Sequence, residues 1–558
     1  MHRLRLLTLL ATTALAGAAL ATTAEAEVII RIAPVHTDAH VANYNPYNLT
    51  GPHAYVQDFA YEPLWIDNVW HPDNDFPALA ASYEVGADLK SVTYHLREGV
   101  KWSDGEPFTA ADVVFTFNYA KAHLDFPVGY DIYSAEKDTG SIVDVVAVDD
   151  HTVRFELKNA DSLARLNIGP VFPLPEHIWK DVADPVNYAN PKVVATGPFT
   201  EVRDFSRNAF KLCKNPLYRD AAEVKIDCIE YPQLSDNLQV IAAITNGDLD
   251  WATDGITDPE ITYASKSPDN HYWLPPDAGT NLQLNTTKAP FNNLEFRKAM
   301  SMAIDRGTLV DIATFGLTTP AEYPIGEGMF YKDWIDTAAL APYQYLMEYN
   351  PDAAKKVLDD AGFIDKDGDG WRDNPDGTPI AFKMAVPAGW DDWVNTLQTV
   401  SENLQDIGIN GAMETPEEGA WFDNIPTGNF DVYIMWTNLS STPWFTYYSM
   451  FNPRSMVPGT LNEQAMHQMK IPGIEADLAA ISATADVAVQ KEKITSVMKQ
   501  VAENLPVITL FSNPAWYEYS TRNFTGWPDE SNAWARPNNP AGIHERVKVL
   551  LSLTPVAK

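Results

Sequence analysis

The sequence predicts a mixed α/β protein with two or three domains. About 530 residues follow a short apolar leader, which is more than one hydrophobic core usually supports. Helix signals and strand signals both occur, and 40 prolines and 29 glycines spread through the chain indicate many connecting loops. The sequence contains no internal repeat and no low-complexity tract.

The first 26 residues have the organisation of an export signal. Arg3 and Arg5 form a basic start, residues 6–21 an apolar run, and a small-residue cleavage site ends at Ala26. A membrane anchor is the alternative, but the run is short and no charged stop follows it. No cysteine stands directly after the apolar run, where a lipid would be attached, so nothing predicts a lipid anchor. We therefore expect a mature chain that begins near Glu27, does not insert into a membrane and is free in the periplasm.

The chain is strongly acidic, with a net charge of −35. A surface of this sign repels phosphate backbones and anionic lipid headgroups. Nucleic acids and anionic membranes are therefore excluded as expected partners.

Cys213 and Cys228 are the two cysteines of the chain. The segments that contain them, 209–213 and 224–231, both have strand-like sequences, and a hairpin would bring them together. In an oxidising compartment this pattern favours a disulfide over two buried thiols. The expected role is structural, because neither cysteine belongs to a Cys-x-x-Cys motif.

Two helices are predicted in the second half of the chain. Asn350 and Pro351 provide an N-cap and a proline in the first turn, and Gly362 stands where a C-terminal glycine belongs. The second helix carries apolar residues at spacings of three and four, which predicts a face turned to the core. This stripe consists of Trp393, Leu397, Val400, Leu404 and Ile407.

The segment Leu96–Phe115 carries the most specific pattern. A strand end precedes a tight turn at Asp104-Gly105, and a helix follows with Thr109 as N-cap and Asp112 three residues later. The order of its residues resembles the signature of the peptide/nickel-type extracellular solute-binding proteins, family 5, which are receptors for ABC importers. Further stretches also resemble motifs of this family and occur in the family's order along the chain. They are residues 60–65, 195–199 with 214–218, 290–306 and 504–510.

The resemblance implies a two-lobed periplasmic binding protein fold of type II, in its large three-subdomain form, with the ligand in an interlobe cleft. It implies that residues 27–275 form lobe I, 276–510 form lobe II and 511–558 return to lobe I. A monomer would close its lobes over the ligand and present it to the permease subunits of an ABC importer.

The loop Trp436–Pro443 bears on the type of ligand. Peptide binders of the family carry acids inside Trp-x-x-Asp-x-x-Asp-Pro, one of which pairs with the peptide ammonium. Leu439 and Thr442 occupy those places here. A buried ammonium without a carboxylate partner costs several kcal/mol, which disfavours free peptides unless the acid has moved elsewhere.

Tryptophan-rich segments favour an oligosaccharide instead. The segments 389–393 and 513–519 resemble the family's oligosaccharide-binding branch, and Trp rings cover the flat C–H faces of β-linked gluco-type sugars while amides bind their hydroxyls. Core packing remains the alternative for each Trp, and turn capping or strand hydrogen bonding for each amide. The candidate ligand-binding residues are Asn45, Trp251, Asn281, Gln283, Trp390, Trp436, Asn438, Trp444 and Trp516.

Two other functions remain as alternatives. The first is an oligopeptide receptor of the same family. The second is a secreted glycoside hydrolase, which needs two carboxylates that flank the scissile bond, and no segment of the sequence matches such a site. We therefore expect no enzymatic activity and no required cofactor.

An acidic loop at 365–376 follows the EF-hand calcium pattern. The pattern names Asp365, Asp367, Asp369, Trp371 (through its carbonyl), Asp373 and Asp376 as ligands. The last position is Asp rather than the usual Glu, and no exit helix is predicted after it. A structural Ca²⁺ and an ion-free Asp/Gly turn therefore both remain open.

His36 and His40 stand four residues apart. On a helix this spacing would allow both imidazoles to bind one metal ion. The segment looks extended, so we do not expect a metal site there.

Overall fold

The computed structural model describes residues 26–33, 36–47, 56–123, 126, 140–459, 461–538 and 543–557. The predicted signal peptide thus lies outside the described residues, except for Ala26. Within the described ranges, no helix combines the length and the apolar composition needed to cross a bilayer.

A mixed seven-stranded sheet forms the centre of lobe I. Ile29–Ala33, with Ile30 and Ile32 fully buried, runs parallel to a neighbour on each side. In spatial order the strands are Asn270–Tyr272, Glu518–Ser520, Trp251–Ala252, Ile29–Ala33, Cys228–Pro232, Ala209–Lys214 and Phe199–Arg203.

The two cysteines lie in this sheet. Cys213 and Cys228 are directly opposite each other on the antiparallel pair Ala209–Lys214 and Cys228–Pro232, and a disulfide joins them. The hairpin that the sequence predicts is thus present, and the disulfide closes it next to the central strand.

A smaller antiparallel sheet and one helix form a subdomain of lobe I. The helix Ala110–Ala122 begins with the predicted capping box, in which Asp112 accepts a hydrogen bond from the Thr109 backbone N–H at 3.0 Å. The buried residues of helix and sheet form one apolar cluster. The strands, in spatial order, are Ala80–Val85, Ser91–Leu96, Thr152–Leu157 and Ile142–Asp149.

A five-stranded sheet forms the centre of lobe II. Its spatial order is Gly411–Glu414, Phe382–Ala385, Val432–Trp436, Pro276–Leu284 and Val507–Pro514. One apolar cluster joins this sheet to the helices Leu294–Ala303, Arg306–Ala313, Pro351–Asp360 and Asp391–Asp406. A second cluster contains the helices Pro443–Phe451, Pro472–Ser482 and Val487–Asn504.

Both helix predictions for this lobe are confirmed. Asn350 caps the first helix by accepting from the Ala353 N–H at 3.0 Å, and Gly362 adopts the left-handed backbone conformation just after its end. The Trp393 stripe of the second helix is buried from Trp393 to Ile407.

The chain crosses between the lobes twice. The first crossing follows Tyr272, which ends a lobe I strand, and ends at Pro276, where a lobe II strand begins. The second lies between Pro514 and Glu518, later than the predicted boundary at residue 511, because the lobe II strand continues pairing as far as Pro276 opposite Pro514.

The lobes are in contact in this structure. The Ser162 N–H and hydroxyl donate to the carbonyl oxygens of Ser482 and Thr484 at 2.7 and 2.6 Å. Leu163 and Leu166 of lobe I join an apolar cluster that otherwise belongs to lobe II. We call this arrangement, in which the two lobes are in direct contact, the closed form.

Shorter elements complete the fold. The remaining helices are Gln57–Ala60, Arg165–Ile168, Glu176–Trp179, Asn237–Asn246, Pro259–Thr262, Thr337–Leu340, Glu418–Asn424 and Arg546–Ser552, with 3-10 turns at Ala264–Lys266, Met329–Trp334, Ala341–Leu346, Ile425–Thr427 and Pro453–Ser455. Two further strand pairs are Trp65–Ile66 with Phe76–Pro77, and Phe524–Thr525 with Thr554–Pro555.

Candidate ligand cleft

A pair of glycines marks a second place where the two lobes approach each other closely. A Cβ atom added to Gly255 of lobe I would lie 3.0 Å from Cγ of Asp392 in lobe II. A Cβ atom added to Gly389 of lobe II would lie 3.3 Å from Cβ of Asp236 in lobe I. Each glycine thus lets the backbone of one lobe reach an acidic side chain of the other. The residues next to these glycines mark the interlobe boundary.

Two half-buried tryptophans of lobe II lie beside this boundary. Trp390 directly follows Gly389 and precedes the helix Asp391–Asp406, and Trp436 ends the central strand Val432–Trp436. The centroids of these two rings are 5.8 Å apart, with an angle of 30° between the ring planes. We call Trp390 and Trp436 the aromatic platform.

The platform is held from behind by buried rings. The ring centroid of Trp393 lies 5.3 Å from that of Trp390 and 5.6 Å from that of Trp436. The ring centroid of Trp421 lies 5.7 Å from that of Trp390. The Trp390 indole N–H donates to the Glu418 carboxylate at 3.3 Å. The platform rings are therefore fixed in place while part of their surface stays accessible.

The other predicted tryptophans are buried. Trp251 is fully buried and its indole N–H donates to the Pro537 carbonyl at 3.1 Å. The Trp444 N–H donates to the Leu478 carbonyl at 3.0 Å, and its ring packs into a lobe II core cluster. Both rings thus have the core-packing role that the sequence left open as the alternative.

Trp516 differs from these two. It lies at the second crossing between the lobes, is 8% exposed, and belongs to none of the apolar core clusters formed by the described residues. Its position at the hinge leaves it a candidate for contact with a bound molecule.

Two of the predicted amides already bind backbone carbonyl groups. The Asn45 amide donates to the carbonyl oxygens of Pro185 and Tyr188, both at 2.9 Å. The Asn281 amide donates to the Gly326 carbonyl at 2.9 Å and is fully buried inside lobe II. In the closed form these side chains hold loops in place.

Among the described residues, the other two predicted amide side chains do not bind backbone carbonyl groups. Gln283 is fully buried, and neither of its amide atoms has a hydrogen-bond partner among the described residues. Asn438 is half-buried within the Trp436–Pro443 loop, and its amide lies 3.5 Å from a Glu463 oxygen.

The Trp436–Pro443 loop is lined by uncharged polar groups. The side-chain hydroxyls of Ser441 and Thr442 are buried and have no hydrogen-bond partner among the described residues. The Tyr331 hydroxyl bonds the backbone of Ser440 at 2.9 and 3.0 Å, which fixes the loop. The loop therefore contains two buried hydroxyls without a hydrogen-bond partner among the described residues, and its sequence contains no carboxylate.

A buried acid lies behind this loop. Glu327 accepts a hydrogen bond from the Thr437 hydroxyl at 3.0 Å. Burial raises the pKa of Glu327 to about 8, so the side chain is mostly protonated at neutral pH. It therefore supplies no full negative charge to an ammonium ligand.

Sequence reasoning missed the interlobe role of His36. Its Nε2 lies 2.5 Å from Asp254 Oδ1 in lobe I, and its Nδ1 lies 4.0 Å from Glu418 Oε2 in lobe II. His40 instead bonds the Tyr231 carbonyl at 3.1 Å, so the two histidines have separate partners. No local pattern predicts the His36 contacts, because both carboxylates are distant in sequence.

The acidic loop partly matches the EF-hand pattern. Carboxylate oxygens of Asp365, Asp367 and Asp373 lie within 4.8 Å of one another. All of the predicted carboxylates accept hydrogen bonds within the loop. Those of Asp365, Asp367 and Asp373 do so from backbone N–H groups, Asp369 from the Trp371 N–H at 2.8 Å, and Asp376 from the N–H and hydroxyl of Thr378. The structure thus brings together three of the predicted carboxylates, and Asp369 and Asp376 are not part of this group.

Comparisons with known proteins agree with this architecture. The sequence profile of the middle part of the bacterial extracellular solute-binding proteins, family 5, matches residues 76–456. The oligopeptide-binding protein OppA of Salmonella typhimurium is 24% identical over 92% of this chain and 93% of its own length.

Solved structures match over nearly the whole chain. A mannohexaose-bound periplasmic oligopeptide-binding protein from Thermotoga maritima superposes with a TM-score of 0.87 at 25% identity, covering 96% of this chain and all of that one. The nonapeptide complex of AppA from Bacillus subtilis shares the fold, with a TM-score of 0.77 at 20% identity, over 95% of this chain and 100% of its own.

The two lobes joined by two crossings agree with the architecture of the solved binding proteins that this chain matches. The profile match covers more than half of the chain, which therefore belongs to the bacterial extracellular solute-binding proteins, family 5. Proteins of this family are receptors that bind small ligands and work with ABC importers.

Proposed function

We propose that this protein is the periplasmic receptor of an ABC importer and captures a neutral oligosaccharide, of β-linked gluco type, by closure of its lobes. The observation that carries the proposal is the aromatic platform of Trp390 and Trp436 at the interlobe boundary. The aromatic platform offers flat apolar surface, and the loop beside it offers hydroxyls.

Stacking on the platform would supply most of the affinity. A pyranose ring in a β-linked gluco-type chain has flat C–H faces and equatorial hydroxyls, so an indole ring can cover a face while the hydroxyls keep their hydrogen bonds. Because Trp393 and Trp421 already support the platform rings, little side-chain entropy is lost on binding.

The electrostatics of the loop point in the same direction. Leu439 and Thr442 provide no carboxylate, and Glu327 behind them is mostly protonated at neutral pH. The free hydroxyls of Ser441 and Thr442 can each donate and accept a hydrogen bond, which suits sugar hydroxyls. An ammonium group would find no full countercharge at this loop.

The comparisons support the same ligand class and keep a second one. The mannohexaose-bound neighbour from Thermotoga maritima shows that a protein of this shape binds an oligosaccharide. The curated relatives are oligopeptide-binding proteins, so an oligopeptide is the second candidate.

Titration decides between the two ligands. The mature protein is mixed with mannohexaose, with cello-oligosaccharides and with di- to pentapeptides, and binding is followed by calorimetry and tryptophan fluorescence. We expect sugar binding with a fluorescence change and no peptide binding. Micromolar peptide affinity without a sugar response would establish the second candidate instead.

A matched pair of variants tests the platform. Trp390→Ala should weaken sugar binding by about 1–3 kcal/mol, a typical cost of truncating a buried aromatic anchor, or roughly 5- to 150-fold. Trp334, half-buried on the surface of the same lobe beside Lys491, provides the control, and Trp334→Ala should leave the affinity unchanged. Equal losses in both variants would contradict a role for the platform.

Chromatography of the incubated sugars addresses the glycoside hydrolase alternative. Bound sugar that remains intact supports the receptor, whereas shorter products would support the enzyme. We further propose a monomer that is exported by the 1–26 signal peptide, is not lipid-anchored, and presents its ligand to the permease. We also propose a structural Ca²⁺ at Asp365, Asp367 and Asp373, where carboxylates converge.

A further inference from the structure

Closure brings several carboxylates of the two lobes around one histidine. Asp254 and Glu418 contact His36 from lobe I and lobe II, and the close approaches at the two glycines bring in Asp392 and Asp236. Asp391 precedes Asp392 in the chain, and burial and the charge of Asp236 raise its pKa. We call this group the interlobe acid cluster: Asp236 and Asp254 of lobe I with Asp391, Asp392 and Glu418 of lobe II.

The cluster is poorly neutralised. Among the described residues, none of its carboxylates forms an ion pair with a lysine or an arginine, and the basic side chain that contacts them is His36. The other charged groups that act on the cluster are also acidic. Glu518 is fully buried and accepts a hydrogen bond from the Asp254 N–H at 3.4 Å. The charge of Asp38 contributes to raising the pKa of Glu418.

We propose that His36 and the interlobe acid cluster form a proton-operated latch, so that closure of the lobes takes up protons. His36 belongs to lobe I and bridges Asp254 of its own lobe to Glu418 of the other. A protonated imidazole attracts both carboxylates at once. Protonation of the cluster carboxylates removes the repulsion that closure creates between the lobes.

The electrostatics of the closed form support this coupling. Burial, with the charges of Asp391 and Asp254, raises the pKa of Asp392 to about 7. Burial likewise raises the pKa of Glu418. Burial alone would lower the pKa of His36, but the hydrogen bond and charge of Asp254, with the charge of Glu418, outweigh it and raise that pKa.

The sign of the pH dependence follows from these directions. Opening would return the interlobe groups to water and toward their ordinary pKa values, so the closed form binds more protons than the open form. Closure is therefore favoured as the pH falls, and this advantage is lost as the pH rises through the closed-form pKa values. For Asp392 the window lies between its ordinary 3.8 and about 7. The closed-to-open ratio should change by up to about tenfold per pH unit for each net proton.

The latch does not depend on the identity of the ligand, so it is tested first without one. Small-angle X-ray scattering of the ligand-free mature protein between pH 5 and pH 8.5 reports the closed fraction through the radius of gyration, with circular dichroism as a check of folding. We expect a smaller radius at the acidic end. A radius that is constant, or that decreases toward alkaline pH, overturns the proposal.

Variants separate a latch from a merely structural contact. His36→Gln should remove the pH dependence above 6.5, the ordinary pKa of histidine, and keep the dependence at lower pH that Asp392 carries. Loss of a structural contact would instead lower the closed fraction equally at every pH. Asp392→Asn, which removes a repelling charge, should raise the closed-to-open ratio at pH 8 by at least about threefold. His95 of lobe I, whose side chain is 42% exposed, provides the control, and His95→Gln should keep the wild-type profile. A wild-type profile in His36→Gln overturns the assignment.

A second arm uses mannohexaose as the probe. If it binds, its affinity should fall from pH 5 to pH 8 in the wild type and change less in His36→Gln. If it binds at no pH, the oligosaccharide proposal fails, and the ligand-free scattering profile still decides the latch.

Discussion

The two lobes contribute different chemistry to the cleft. Lobe II contributes the Trp390 and Trp436 rings, which emerge from a buried aromatic cluster and carry no charge. Lobe I contributes no ring to the platform, but it contributes His36 and Asp254 to a titratable cluster that Glu418 of lobe II completes. The aromatic surface suits recognition of an apolar ligand face, whereas the titratable cluster suits control of closure. Glu418 links the two, because it also accepts from the Trp390 N–H.

The largest expected effect separates two neighbouring tryptophans of lobe II, one in the core and one in the platform. Trp393 is 3% exposed in the core, whereas Trp390 is half-buried at the boundary. Trp393→Ala should lower the free energy of unfolding by about 3–5 kcal/mol, because it removes a large buried side chain and leaves a cavity. Trp390→Ala should cost clearly less stability. Denaturant titration of both variants measures the difference, and equal losses would show that the platform is part of the core.

A disulfide between Cys213 and Cys228 cross-links lobe I, whereas the described residues of lobe II contain no disulfide. Replacement of both Cys213 and Cys228 by alanine should cost about 3 kcal/mol in the chain-entropy model, for a sequence separation of 15. The loss should appear in the unfolding of lobe I. Alkylation with and without reductant, followed by intact-mass analysis, checks the bond directly. Two alkylated thiols in the unreduced native protein would contradict it.

These local features were predictable because their causes lie within a few residues. The Asn350 cap, the Gly362 end, the Thr109 capping box and the Trp393 stripe all follow from nearest-neighbour chemistry and helical spacing. The two-lobed fold followed from the family resemblance rather than from any single pattern.

The roles of individual cleft residues were harder to predict. Trp251 and Asn45 resembled ligand contacts, but their hydrogen bonds go to carbonyl groups 286 and 140 residues away. The His36 contacts likewise depend on how the two lobes close. Spacing along the chain carries no information about such partners, so a polar group at a loop is compatible with several roles.

Within lobe II, Glu327 provides a finer test of buried charge. Its pKa in the folded protein is raised by burial from 4.5 to about 8, so the folded state holds a proton that the unfolded state releases above pH 4.5. The contribution of Glu327 to stability is complete below pH 4.5 and is lost as the pH rises to about 8. The stability of Glu327→Gln relative to wild type should therefore rise with pH across this window, with a slope of up to about 1.4 kcal/mol per pH unit. Parallel stability curves for the two proteins would contradict a buried neutral acid.

The smallest expected effect concerns the acidic loop of lobe II. If Ca²⁺ binds where Asp365, Asp367 and Asp373 converge, a chelator should lower the melting temperature by a few degrees, because an ion that binds the folded state stabilises it by mass action. Asp367→Ala combined with Asp369→Ala should abolish this response.

Asp376 lies in the same loop, but its carboxylate bonds Thr378 and its pKa is lowered by that contact. Asp376→Asn should therefore keep the chelator response, although the EF-hand pattern counts this residue as a ligand. Loss of the response in Asp376→Asn would restore the full EF-hand ligand set, and a wild-type melting temperature that does not change with chelator at neutral pH would show that the loop is an ion-free turn.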